Sequence, residues 1–165
     1  MTSTIRTDLR WTCKAYHDLS LDELYAVLKL RQQVFCVEQR CAYLDCDGHD
    51  RAAWHVFATA PEAPTEVLAT ARFLGPGVKY AESSIGRVCC ARAMRRTGIG
   101  KALMAETLEA LERTLGPVAV RISAQSYLQS FYRSFGFVVR SPPYIEDDIE
   151  HVEMLRPSRS ETPPG

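Results

Sequence analysis

The chain has 165 residues, 46% hydrophobic and 24% charged, with 20 basic and 20 acidic side chains. This length suits one domain around one core, and this balance excludes a disordered polymer. Zero net charge excludes a global field that would gather nucleic acid or anionic lipid, so any anion site must be local.

No apolar run approaches membrane-spanning length, and the opening MTSTIRTDLR lacks the apolar core of a signal peptide. A cytoplasmic protein without membrane or nucleic-acid partners is expected. RWTCKAY, residues 10–16, alternates weakly and reads as an opening strand. DLSLDELYAVLKLRQQVFCVEQ follows as a long helix with a break near residue 33. Ser20 is its N-cap and Glu23 completes a capping box. Val27, Leu30, Val34 and Val37 recur at helical spacing, with Leu24 and Leu28 widening the stripe.

Cys36, Cys41 and Cys46 then fall in a polar segment with His49 and His55 close behind. The tight C-x2-C pairing usual for zinc is missing, so no metal site is expected. These cysteines, with Cys13, Cys89 and Cys90, read as free thiols in a reducing compartment. YLDCDGHD fails as a calcium loop because Asp50, not Gly, stands sixth from Asp45; it reads as an acidic loop. AAWHVFATA and EVLATARFLG form a hairpin across the turn PEAP. GPGVKYAE is a loop and SSIGRVCCAR the next strand.

Met104, Leu108, Leu111 and Leu115 mark a helix that Gly116-Pro117 ends. VAVRISA is a strand, SYLQSFYRSFG a short helix, and FVVR and EDDIEHVEMLR two closing strands. Residues 1–156 are expected to form one α/β (α+β) domain. Residues 157–165, PSRSETPPG, are expected to be a disordered tail.

RRTGIGKALM, residues 95–104, is the most informative stretch. A Walker A loop fails at Arg95 and Ala102, and a dinucleotide fingerprint fails at Leu103. The physical content survives both failures. Gly98 and Gly100 lack a Cβ and permit close approach to a ligand. The first helical turn offers unpaired N–H groups at the positive end of its dipole, which suits phosphate. Arg95, Arg96 and Lys101 surround it with positive charge. Taken alone, the same run also fits a basic surface turn.

With the strand IGRVCCA before it, this run resembles the pyrophosphate loop of the GNAT acetyltransferases, (Q/R)-x-x-G-x-(G/A), met by Arg95, Gly98 and Gly100. QSFYRSFGF resembles the family's helix ending in Tyr-x-x-x-Gly-Phe. LRQQVFCVEQRCAYLDCDGHD and AQSYLQSFYRSFGF are similar to the ElaA branch. The resemblance spans roughly residues 10–155.

It implies a mixed sheet of six to seven strands, flanked by helices and splayed between the fourth and fifth, with acetyl-CoA in the gap. It implies that Val88, Cys89 and Cys90 offer backbone to the pantetheine arm. Arg95, Arg96, Thr97, Gly98, Ile99, Gly100 and Lys101 would surround the pyrophosphate. Tyr132 takes the position of the general acid, although Leu128, Phe131, Tyr132 and Phe135 also make an ordinary core stripe. Glu38 and His55 stand as alternative bases, each with a plain structural reading. Gln125 would bind acceptor or pantetheine amide, or cap the next helix. One of Cys89 and Cys90 could face the cleft and take the acyl group first, but neither has a neighbouring base in sequence.

The expected activity is direct acetyl transfer to the amine of a small molecule or an exposed peptide, with a homodimer as an option. A non-catalytic acyl-CoA binder and a cysteine-rich metal or redox module are the alternatives.

Overall fold

A computed structural model of the chain describes residues 8–159. Its elements in order are β1 (Arg10–Ala15), α1 (Leu21–Arg31), a π-helical segment (Gln32–Glu38), β2 (Trp54–Ala60), β3 (Ala63–Leu74) and β4 (Ser83–Cys90). Then come α2 (Ile99–Leu115), β5 (Val120–Gln125), α3 (Gln129–Arg133), β6 (Val138–Val139), β7 (Tyr144–Glu146) and β8 (Ile149–Arg156). All eight strands join one mixed sheet in the order β1-β2-β3-β4-β5-β8-β6, with β7 also on β8. Only β4 and β5 run parallel among the described residues; every other pair is antiparallel.

Local chemistry sets the first helix. The Ser20 hydroxyl accepts from Glu23 N–H at 3.1 Å, and the Glu23 carboxylate accepts from Ser20 N–H at 2.9 Å. This closes the expected capping box and satisfies two donors at the helix start. At Gln32 the helix widens into π geometry, where the sequence suggested a break. The wider turn takes the apolar stripe out of phase: Val27, Leu30 and Val34 are buried, but Val37 is exposed.

The sheet packs on both faces. On one, Leu103, Met104 and Leu111 of α2 meet Val56, Phe73, Ile122 and Met154. On the other, Val27, Leu30 and Val34 meet Phe57, Val67 and Cys89. Alternate strand residues divide between these layers, as period-two geometry requires.

Three details differ from the sequence reading. The β2–β3 turn is only Pro61-Glu62, with Pro64 already inside β3. EDDIEHVEMLR is not one strand: Asp147 and Asp148, at φ 50° and 62°, make a tight hairpin between β7 and β8. Two consecutive left-handed residues match the right-handed twist of paired strands. Within the expected tail, Ser158 is instead buried with its hydroxyl donating to the Pro117 carbonyl. Residues 160–165 lie outside the described residues.

The acidic loop has a structural task. Arg31, almost fully buried, donates to Asp45 at 2.9 Å and to Asp50 at 2.6 Å. Arg72 binds Asp47 at 2.6 Å and Asp50 at 2.8 Å. Arg87 reaches Asp45 at 2.8 Å and lies over the Tyr43 ring. These pairs tie the loop after the π-helical segment to β3 and β4.

Candidate active site

β4 and β5 pair through two couples only, Ser83 with Val120 and Ser84 with Arg121. Beyond them the strands part, and the edge of β4 from Ile85 to Cys90 loses its neighbour on the β5 side. A bulge at Arg87, at φ 52°, helps bend β4 away. The opening belongs to a cleft of about 690 Å³. Val88, Cys89, Cys90, Arg95, Gln125 and Tyr132 line it together with Glu38. Buried backbone groups need partners, so an unpaired strand edge inside a cleft is a natural place for an amide-bearing ligand.

After β4 the chain turns through Arg96, at φ 62°, and Gly98, at φ 89°, into α2. Gly98 is the N-cap and supplies no side-chain acceptor. The first α-helical bond is Ala102 N–H to Gly98 C=O, so the amides of Ile99, Gly100 and Lys101 precede the ladder. A Cβ built on Gly98 or Gly100 would meet nothing within 4 Å. Among the described residues, nothing beyond the immediate neighbours and the helix's own backbone crowds these two positions. Arg95, Arg96 and Lys101 are exposed around it, and among the described residues no carboxylate pairs with Arg96 or Lys101. Thr97 instead donates its hydroxyl to the Met94 carbonyl and braces the loop.

Tyr132 sits deeper, on α3, its ring edge-on to Phe131 and Phe137. It belongs to the core stripe seen in the sequence and also lines the cleft. Burial, with Tyr127 and Cys90 nearby, pushes its phenol up to about 12. It therefore stays protonated at neutral pH and has a hydrogen to donate. Burial raises the Cys89 thiol and pushes Cys90 up to about 11, against the Arg95 charge that opposes it. Neither thiol is poised as a thiolate.

The two bases suggested by sequence part company. Glu38, on the last turn of the π-helical segment, faces the cleft and accepts from Arg95 at 2.5 Å. His55 is not brought to the cleft. It is buried in β2, with Nε2 bonded to the Asp50 carbonyl at 3.0 Å, and burial beside Arg31 and Arg72 lowers its pKa. His55 belongs to the arginine–aspartate cluster and has no access to an acceptor. Cys36, Cys41 and Cys46 are free thiols, and no three His, Cys, Asp or Glu side chains gather as a metal site among the described residues.

Of the polar wall opposite β4, sequence reasoning reached only Gln125. Ser123 and Gln125 of β5 sit opposite Glu153 and His151 of β8, and Tyr144 of β7 also pairs with His151. Ser123 donates to Glu146 at 2.9 Å, and the Tyr144 ring stacks on His151. Ser123, Gln125, Glu146 and His151 all border the cleft. The signal was the alternation in β8, where Val152 and Met154 enter the core and His151 and Glu153 must face the other way. It was unreadable while β7 stayed fused to β8.

Residues 64–156 match the family model described as an acetyltransferase (GNAT) domain, which is more than half of the chain. The chain belongs to the GNAT acetyltransferase family. Within it the protein is ElaA-like: it is 37% identical over 150 residues to protein ElaA of Escherichia coli, covering 90% of this chain and 96% of that protein. The crystal structure of E. coli ElaA superposes with a TM-score of 0.82 at 37% identity, covering 90% of this chain and 99% of that one. An acyl-CoA N-acyltransferase from Pseudomonas aeruginosa gives 0.85 at 43% identity, over 90% and 99% of the two chains. The splayed mixed sheet is therefore the GNAT fold, which implies acyl-CoA binding and acyl transfer to amines. No described helix of this GNAT protein is long and apolar enough to cross a membrane.

Proposed function

We propose that this GNAT protein is an acetyl-CoA-dependent N-acetyltransferase that passes the acetyl group directly to the amine of a small molecule or an exposed peptide. The observation that carries the reading is the cleft of the splayed strands, lined by Tyr132 and by Arg95, from which the chain runs directly into the open, glycine-led start of α2. The amides after Arg96 would hold the diphosphate, with Arg96 and Lys101 adding charge. The freed edge of β4 at Val88 to Cys90 would accept the amide-bearing arm as an added strand would, with Gln125 across the gap.

The chemistry asked of the side chains is modest, since a thioester is already activated and positioning supplies most of the rate. The departing thiolate resembles an ordinary thiol, with pKa roughly 8.5. Tyr132 can protonate it, because its phenol holds a proton at neutral pH and borders the cleft. Ping-pong transfer through Cys89 or Cys90 is disfavoured by their raised thiol pKa values. Six free cysteines suit a reducing, cytoplasmic setting.

Thiol release from acetyl-CoA, screened against a panel of primary amines, tests the reading. Wild-type protein should turn over at least one class of amine, and Tyr132→Phe should lower kcat by roughly 100-fold. It should leave acetyl-CoA affinity almost unchanged. Saturable acetyl-CoA binding with no thiol release for any amine would point to a binder without turnover.

A further inference from the structure

We infer that His151 accepts the proton from the incoming amine, on the wall of the cleft that faces the acyl donor; this rests on the transferase reading above. Two observations carry it. The first is the position of His151: it pairs with Gln125 at the end of β5 and borders the same cleft as Tyr132. The second is its hydrogen bonding. Nδ1 lies 2.7 Å from the Ile149 carbonyl, and a carbonyl oxygen only accepts, so Nδ1 carries the hydrogen. That bond fixes the neutral tautomer in which Nε2 holds the lone pair.

Nε2 is 3.7 Å from the Glu146 carboxylate, too far for a direct hydrogen bond, so its lone pair is not tied up there. Glu146 is itself held by the Ser123 hydroxyl, and the Tyr144 ring stacks on the imidazole to fix its plane. Tyr144 and Glu146 face it from β7, Asp147 sits on the adjoining turn and Glu153 shares its own strand face. No cation pairs with His151 among the described residues. Glu38, by contrast, is bound to Arg95, and His55 is sealed beside Arg31 and Arg72.

The step balances simply. His151 Nε2 takes one proton from the ammonium form of the acceptor. The freed nitrogen lone pair forms the N–C bond to the acyl carbon as the C–S bond breaks. The sulfur takes a proton through Tyr132, which regains it from the new amide nitrogen. His151 then returns its proton to solvent, so the products are amide, free thiol and one proton.

His151→Asn tests this, because its amide can keep the bond to Ile149 without serving as a base. With an amine found by the screen, kcat should fall about 100-fold at neutral pH. Acetyl-CoA affinity should stay within about twofold, and the rate should recover as pH rises and the amine loses its own proton. An unchanged neutral rate in His151→Asn, while Tyr132→Phe is impaired, would overturn the role of His151 and leave the transferase standing. A loss equal at every pH would mark a structural role and also overturn it. Nitrogen NMR of the imidazole gives a readout that needs no acceptor: neutral His151 should be the Nδ1–H tautomer, and the Nε2–H form would contradict the proposal. If no amine is turned over, the transferase reading fails and this role fails with it.

Discussion

The arginines of the aspartate cluster and the loop after Arg95 both concentrate positive charge, yet they treat it in opposite ways. Arg31, Arg72 and Arg87 are each fastened to Asp45, Asp47 or Asp50. At the start of α2, Arg96 and Lys101 have no carboxylate among the described residues, and Gly98 and Gly100 face open space. Buried charge that is fully paired organises a loop; donors left facing open space await an anion. The difference is physical: a buried guanidinium without its carboxylate costs several kcal/mol, whereas a solvent-exposed helix start costs little.

Three substitutions or conditions sharpen the contrast. Arg31→Met should strike the paired region hardest. It leaves Asp45 and Asp50 short of a buried partner and should cost about 3–5 kcal/mol of unfolding free energy in denaturant titration. A loss below about 1 kcal/mol would mean that the cluster is ornamental. Gly100→Glu should do the reverse. Its Cβ meets nothing, and an acid in the first turn suits the helix dipole, so stability should hold. Acetyl-CoA affinity should nevertheless fall about 10- to 100-fold in calorimetry, as a charge-assisted contact is replaced by repulsion.

The smallest effect is that of pH. Burial lowers the His55 pKa, so below about 6.5 the unfolded chain binds a proton that the folded one refuses. Stability from this source is present above that pH and drains away as pH falls, by at most about 1.4 kcal/mol per unit for one proton. Asp47 and Asp50 are held below the usual carboxylate range by Arg72 and Arg31, so a second loss should open below about pH 4. Thermal scans from pH 8 to pH 3 should show both declines, and a flat Tm between pH 7 and 5 would contradict the first.

What could be read from sequence was local. The Ser20–Glu23 box, the glycine-led start of α2 and the stop at Gly116 depend on residues within one turn of each other. The splay of β4 from β5 came through the family resemblance, and the two-couple pairing matches it. The aspartate cluster was invisible because its partners lie 14 to 42 residues apart, as with Arg31–Asp45 and Arg87–Asp45. His55 attracted attention as a residue type on a strand, but type and strand do not say which neighbours a side chain meets. His151 was hidden for a related reason. Its exposure to the cleft depends on the Asp147-Asp148 turn, and two acidic residues before an apolar run gave no sign of a chain reversal.

The most direct measurement follows backbone amide signals by NMR while coenzyme A is added, with pantetheine as the control that lacks the diphosphate. Saturable shifts at residues 96–101 with coenzyme A, and none there with pantetheine, are the predicted result. Equal shifts with both ligands, or none at these amides while coenzyme A binds elsewhere, would contradict diphosphate capture at the start of α2.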